Sequence, residues 1–288
     1  MPFLMSERLR IWLLLTPALI VIGGLFLGGL AAGLARSFNY MPVIGLTEPD
    51  LSAYRAVLSD PAFLRGLGLS LHIALTSTLI SAVLGVAAAL MLRRSFLGRG
   101  LMNFLFQLNL TIPHLVGAIG ILYLFSQSGS FARLAYAVGM IDAPGGFPAL
   151  VFDPYAIGII LQYVWKEVPF IGVIVLAQVQ AIGTDHEAVA RSLGATRWQA
   201  FRHVLLPMVA PGLAGACIIV FAFAFGAYEI PAILGASHPQ ALPVLAYESY
   251  TAVDLARRPQ AMAMAMVIAV ISGALILVAL RLLRGGLR

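Results

Sequence analysis

Charge is scarce in this chain of 288 residues: Asp, Glu, Lys and Arg make up 10% of it, against 61% hydrophobic residues. A soluble globule of that size needs more polar surface than this supplies. A water-exposed fold is therefore excluded and a bilayer is the medium that fits, in keeping with a mean hydropathy of +0.96. Cysteine is almost missing. The single Cys217 excludes an intrachain disulfide framework, leaves the redox compartment open, and lies in an apolar run where it reads as a small buried side chain. The sequence holds no repeat of fixed period, no phosphate-cradling glycine loop and no cluster of metal ligands. No metal or cofactor is expected in this chain, and the energy for any work it does must come from a partner or a gradient.

What is present is length in apolar runs. Crossing roughly 30 Å of hydrocarbon at 1.5 Å per residue takes about 20 residues. Such runs lie near 11–35, 67–92, 101–126, 154–177, 208–234 and 259–281. With the N-terminus inside, Arg8, Arg10, Arg93, Arg94, Arg99, Arg191, Arg197, Arg202, Arg281, Arg284 and Arg288 fall on the cytoplasmic side, while Arg36, Arg55, Arg65, Arg133, Arg257 and Arg258 fall outside. That bias obeys the positive-inside rule, so both termini are expected in the cytoplasm. The formal charge of +6 is then a topology signal, and no nucleic-acid partner is expected. The first run, ending in LAAGLA, is too long for the apolar core of a signal peptide and is expected to stay as a span. Two outer loops, 36–66 and 127–153, should hold turns and short helices. The loop RRSFLGRG at 93–100 is short enough to make its flanking spans antiparallel neighbours, which leaves 178–207 as the sizeable inner segment.

That inner segment interrupts the apolar text with EAVARSLGATRWQAFRHVLLPMVAPGL, residues 187–213. Thr184 with Glu187 and Thr196 with Gln199 have the spacing of capping boxes, so two short helices are expected with Gly194 as the stop between them. The first would carry Val189 and Leu193 on one side. The second would carry Trp198, Phe201 and Leu205 in a row, leaving Arg191, Arg197 and Arg202 for water or acidic partners. Pro207 and Pro211 suit the opening of the next span. Physics alone leaves two uses for so apolar a surface pair: docking in a protein groove, or lying on lipid.

Gly194-Ala195, Phe201, Leu206-Pro207 and Pro211 keep the spacing of the EAA loop of integral-membrane permease subunits of binding-protein-dependent ABC importers, and the chain resembles that family from about residue 67 to 280. The motif's glutamate column falls on Ala188, with Glu187 one residue early. The resemblance implies an all-α membrane protein with six transmembrane helices and the type I importer (MetI-like) permease fold. It implies a first helix and outer loop over 1–66 and a permease domain over 67–284, with the coupling loop at 178–207. Glu187, Ala188, Gly194, Ala195, Trp198, Phe201, Leu206 and Pro207 would meet cytoplasmic ATP-binding subunits, which hold the ATP and Mg. A second permease subunit, an extracytoplasmic substrate-binding protein and membrane lipid complete the implied partners, in a multi-pass location in a bacterial inner membrane. FGAYEIPAILG at 225–235 and ALPVLAYESYT at 241–251 resemble the branch with spermidine/putrescine, ferric iron and thiamine permeases, the polyamine type most of all.

Three ionisable residues are expected at membrane depth: Lys166 and Glu167 in QYVWKEVPF, and Glu229. Facing lipid is expensive for them, so each should face protein or a polar cavity. Lys166 and Glu167 read either as part of a substrate path or as charges that fix helix packing. Being adjacent, they need separate partners. Glu229, bracketed by Gly226 and Pro231, reads with Tyr228 as part of a path. Tyr163, Trp165 and Tyr228 could offer aromatic faces to a cation. His72 and His114 read as hydrogen-bonded helix residues. The rival readings are an intramembrane enzyme using Glu167, Lys166 and His114, and a secondary transporter carrying protons on Glu229.

Overall fold

The computed structural model describes residues 7–94 and 97–285, without the side chains of 7, 280 and 282–285. Arg288, the side chains of Glu7 and Arg284, and Ser95–Phe96 of the short inner loop therefore lie outside the described residues. Among those described there is no β-strand, and the helices include six stretches long and apolar enough to cross a membrane: Arg8–Ser37, Pro61–Leu92, His114–Ala137, Ile157–Ile182, Arg197–Gly226 and Leu255–Ala279.

The chain divides into two compact units. One comprises the residues up to Asp60 with Ala246–Val267. It contains α1 (Glu7–Ser37), whose Trp12, Leu14, Ile20, Leu25 and Phe26 are all exposed, as befits a helix against lipid or a partner. Its α2 (Ser52–Ser59) is started by Asp50, whose carboxylate accepts from the Ser52 hydroxyl at 2.5 Å and the Ser52 amide at 2.8 Å. Those two bonds, the hydroxyl first, hold the Asp50 carboxyl below the usual range.

The other unit, Pro61–Leu245 with Ile268 onward, is built on the pairing of α3 (Pro61–Leu92) with α7 (Ile157–Ile182). Small residues let the two backbones approach. A Cβ added at Gly85 would lie 3.0 Å from Ile171, and Ser70, Ser77, Ser81 and Ala89 are buried on the same face of α3. One apolar cluster surrounds Ile73, Tyr163 and Phe225, and a second surrounds Ile171, Val175, Leu205 and Val209.

Two expected spans are interrupted. The run 101–126 is not one helix: α4 (Arg99–Thr111) ends at Ile112, extended at φ −77° and ψ 125°, and α5 (His114–Phe125) begins after Pro113. The proline ring excludes the helical region for the residue before it, and this outweighed the continuous hydropathy. The run 208–234 is likewise α10 (Leu206–Gly226), an extended Ala227, and a separate α11 (Glu229–Leu234). α12 (Leu242–Thr251) and α13 (Arg258–Gly285) complete the order, with α6 (Ser130–Ala137) between α5 and α7.

Candidate coupling surface and buried polar cluster

Between α7 and α10 the chain makes a jointed pair of short helices, α8 (Asp185–Ser192) and α9 (Arg197–Ala200). Asp185 and Glu187 sit in the first turn of α8 and Arg191 in its last, matching the helix dipole. The joint is a Schellman turn: Gly194 N–H donates to Arg191 O at 3.0 Å and Ala195 N–H to Ala190 O at 3.1 Å, with Gly194 at φ +93°. The glycine stop expected at 194 is present for that reason. The Thr196 box also forms. The Gln199 amide donates to the Thr196 hydroxyl at 3.2 Å and the Thr196 amide to Gln199 Oε1 at 2.8 Å.

The Thr184 box does not form. Thr184 precedes α8, but its side chain caps nothing, and Glu187 instead accepts from Arg93 Nη1 at 2.6 Å. A guanidinium at the end of α3 is a stronger donor to a carboxylate than a neutral amide, so the distant partner wins. Glu187 therefore ties α8 to the end of the second span.

The expected second helix is also not separate. After one turn α9 passes into a five-residue π turn, Phe201–Leu205, closed by Leu206 N–H on Phe201 O, and continues as α10. Pro207 has no N–H for the next α-type bond, and the ladder widens just before it. The row of Trp198, Phe201 and Leu205 fans apart as a result. Trp198 is 64% exposed, Phe201 is half-buried with its ring 5.4 Å from that of Trp198, and Leu205 is buried in the core. With Val189 of α8 and Leu193 just after its end also exposed, apolar side chains remain open around the joint. Ala188 and Pro207 are exposed, and Ala195 and Leu206 are half-buried.

Deep in the bundle, the break at Pro113 leaves the carbonyls that end α4 without helical partners. Lys166 supplies them: its ammonium donates to Asn109 O at 2.6 Å, Leu110 O at 3.2 Å and Ile112 O at 2.5 Å, with the residue only 5% exposed. Asn109 Nδ2 returns a bond to Trp165 O at 2.7 Å. Glu167 points to a different partner, as its adjacency to Lys166 requires. Its Oε1 lies 3.1 Å from His114 Nε2, whose backbone carbonyl accepts from Gln162 at 3.0 Å. Phe223 of α10 packs on His114 at 4.7 Å and edge-on to Tyr163 at 6.2 Å, linking the fifth span to this cluster. The roles of Asn109 and Gln162 were missed in the sequence. The isoleucine-proline pair before His114 was the signal for the break that recruits them. His72, expected to be hydrogen-bonded, lies 3.2 Å from Tyr155 O.

Glu229 is not inside the span-five helix. It opens α11 after the break at Ala227 and is exposed, as is Tyr228, while Ile230 and Leu234 anchor α11 in the core. Glu229 is thus exposed, whereas Lys166 and Glu167 are buried. Among the described residues no three His, Cys, Asp or Glu side chains converge as metal ligands.

Six candidate spans, with chain breaks just before the third and just after the fifth, and a glycine-jointed helix pair running into the fifth, make an all-α membrane-embedded chain. The chain belongs to the family of binding-protein-dependent transport system inner membrane components, whose model matches residues 81–285. It is 28% identical over 216 residues to the molybdenum transport system permease protein of Mycobacterium tuberculosis, covering 74% of this chain and 78% of that one. It is 31% identical over 218 residues to the molybdate/tungstate transport system permease protein of Thermococcus kodakarensis, covering 75% and 78%. To the sulfate transport system permease protein CysT of Escherichia coli it is 26% identical over 187 residues, covering 65% and 64%. In fold it is similar to a bacterial ABC transporter involved in import of the acidic polysaccharide alginate, at a TM-score of 0.78 and 21% identity over 96% of both chains. The methionine importer MetNI matches at a TM-score of 0.56 and 18% identity, over 78% of this chain and 96% of that one. The chain is thus a multi-pass permease of the MetI-like fold and a transport subunit, not an enzyme. One of these relatives is named for molybdenum, one for molybdate/tungstate and one for sulfate, so the polyamine branch suggested by residues 225–251 is not what these comparisons point to.

Proposed function

We propose that this chain, beside a second permease subunit, forms the passage for a small solute handed over by an extracytoplasmic binding protein. Cytoplasmic ATPase subunits, holding ATP and Mg, dock on the α8–α9 joint and drive the change between outward and inward access. The observation that carries this reading is continuity. α9, the π turn and α10 form one helical rod, so a push on Trp198 moves the fifth span directly. The ion pair between Glu187 and Arg93 passes the same push from α8 to α3. The arginine distribution supports a cytoplasmic side for this loop and for both termini. Reconstituting the chain with its ATPase and binding protein tests the reading. Uptake that requires ATP supports it, and uptake driven by an ion gradient without the ATPase overturns it in favour of a secondary transporter.

For the solute, an inorganic oxyanion is the first reading, supported by the names of the molybdate/tungstate and sulfate relatives. A polyamine cation is the second, supported by FGAYEIPAILG and the exposed carboxylate of Glu229 beside Tyr228. Glu229→Gln separates them. Loss of uptake that grows with the charge of the polyamine supports the cation, because a carboxylate replaces part of the water a cation sheds. Retained uptake of molybdate or sulfate, with none of spermidine in the unaltered chain, supports the oxyanion. In either case Lys166 and Glu167 shape the passage from behind, by holding open the break before the third span.

A further inference from the structure

A cavity of about 450 Å³ lies behind the coupling surface, on a set of residues separate from the hollow around Gly194. Arg93 and Arg94 from the end of α3, Arg191 and Glu187 from α8, and Arg197 from α9 line it. Four arginines less one glutamate leave an excess of three positive charges. Glu187 is committed to Arg93 at 2.6 Å, and among the described residues no carboxylate lies within ion-pair distance of Arg94, Arg191 or Arg197. Like charges sharing one cavity repel, and an anion entering it removes that cost. Guanidinium groups suit phosphate oxygens in particular, because their planar forks match them with two parallel bonds.

The remaining wall is apolar, from Leu90 of α3 and from Phe201 and Leu205 of the π turn. A free inorganic ion has no use for such a wall. A lipid has both a phosphate and an apolar body. The position agrees, since Leu90 to Arg94 is where a membrane span ends and so lies at headgroup level.

We propose that this cavity binds the phosphate headgroup of an anionic phospholipid. Seated there, the headgroup bridges the end of α3 to α8 and α9, the three elements whose relative movement transmits the ATPase stroke. Coupling then depends on the anionic lipid content of the bilayer.

The test uses the full chain purified with its ATPase partner in neutral detergent. Short-chain phosphatidylglycerol and phosphatidylcholine of equal chain length are titrated while the thermal unfolding midpoint is read. The expected result is a rise with phosphatidylglycerol alone, with apparent affinity lowered about fivefold or more in the Arg94→Gln, Arg197→Gln double variant. Arg191→Gln, a single exposed change, gives the same reading should the double variant fold poorly. An equal phosphatidylglycerol response in variant and unaltered chain overturns the proposal. So does an equal rise with inorganic phosphate at matched concentration, which makes it a free-anion site. Loss of the ATPase from the variants with the lipid response intact overturns it too, since the cavity then receives an acidic face of the ATPase.

Discussion

The ion pair between Glu187 and Arg93 is the sharpest point at which the structure can be probed. Its side chains are 24% and 19% exposed, and the 2.6 Å bond joins elements 94 residues apart. Exposed pairs contribute under about 1 kcal/mol, and breaking a fully buried one costs roughly 3–5 kcal/mol, so this partly covered pair should contribute about 1–2 kcal/mol. Neutralising Glu187 also leaves Arg93 beside three further arginines in one cavity, which moves the cost toward the upper end. The measurement is a double-mutant cycle of Glu187→Gln, Arg93→Gln and the pair together, read as thermal unfolding and as substrate-stimulated ATP hydrolysis at equal complex level. A coupling near 1 kcal/mol or more is expected, with partial recovery in the charge-swapped Glu187→Arg, Arg93→Glu chain. Additive effects within about 0.3 kcal/mol would refute the strut. A silent Glu187→Gln would do the same, since glutamine can serve in a capping box but cannot keep the ion pair.

At the joint, Gly194→Val forces a β-branched residue to φ +93° and should lower substrate-stimulated ATP hydrolysis at unchanged membrane level, with Gly194→Asn milder; equal coupling in all three chains refutes the lever. Trp198→Ala should leave the unfolding midpoint alone but release the ATPase on purification, a loss of about 2 kcal/mol of docking. Retained stoichiometry would instead assign Trp198 to lipid. Lys166→Met strips the donor from three partly buried carbonyls and should cost about 1–3 kcal/mol in thermal unfolding, and an unchanged midpoint would remove its role at the break. Asp50 has its folded pKa held down, so its contribution to α2 is complete above its unfolded value near 4 and fades as pH falls through the lower folded one. The protection of the Ser52 amide, measured against the intrinsic exchange rate at each pH, should fall as pH drops below about 4, and a flat protection profile would refute it.

Local chemistry was readable without a structure wherever the deciding partner was close in sequence. Six spans followed from composition and length. The stop at Gly194 followed from one residue's freedom at positive φ, and the Thr196 box from partners three residues apart. The family's loop motif was legible for the same reason, its glycine, aromatic and Leu-Pro pair lying within one short segment. Glu187 shows where that reading ends. A local box and a remote guanidinium competed for one carboxylate, and nothing within residues 184–187 records that Arg93 would arrive from the end of α3. Lys166 and Glu167 are the same case at membrane depth. Hydropathy scored residues 101–126 as one span, so the orphaned carbonyls before Pro113 were not foreseen as partners of Lys166, and His114 was expected to be hydrogen-bonded without Glu167 being singled out as its partner. Periodicity and capping are settled by backbone geometry over a few residues. The choice of a charged group's partner in a low-dielectric interior is settled by which opposite dipoles the packing of separate spans brings within about 3 Å, and only the tertiary structure decides that.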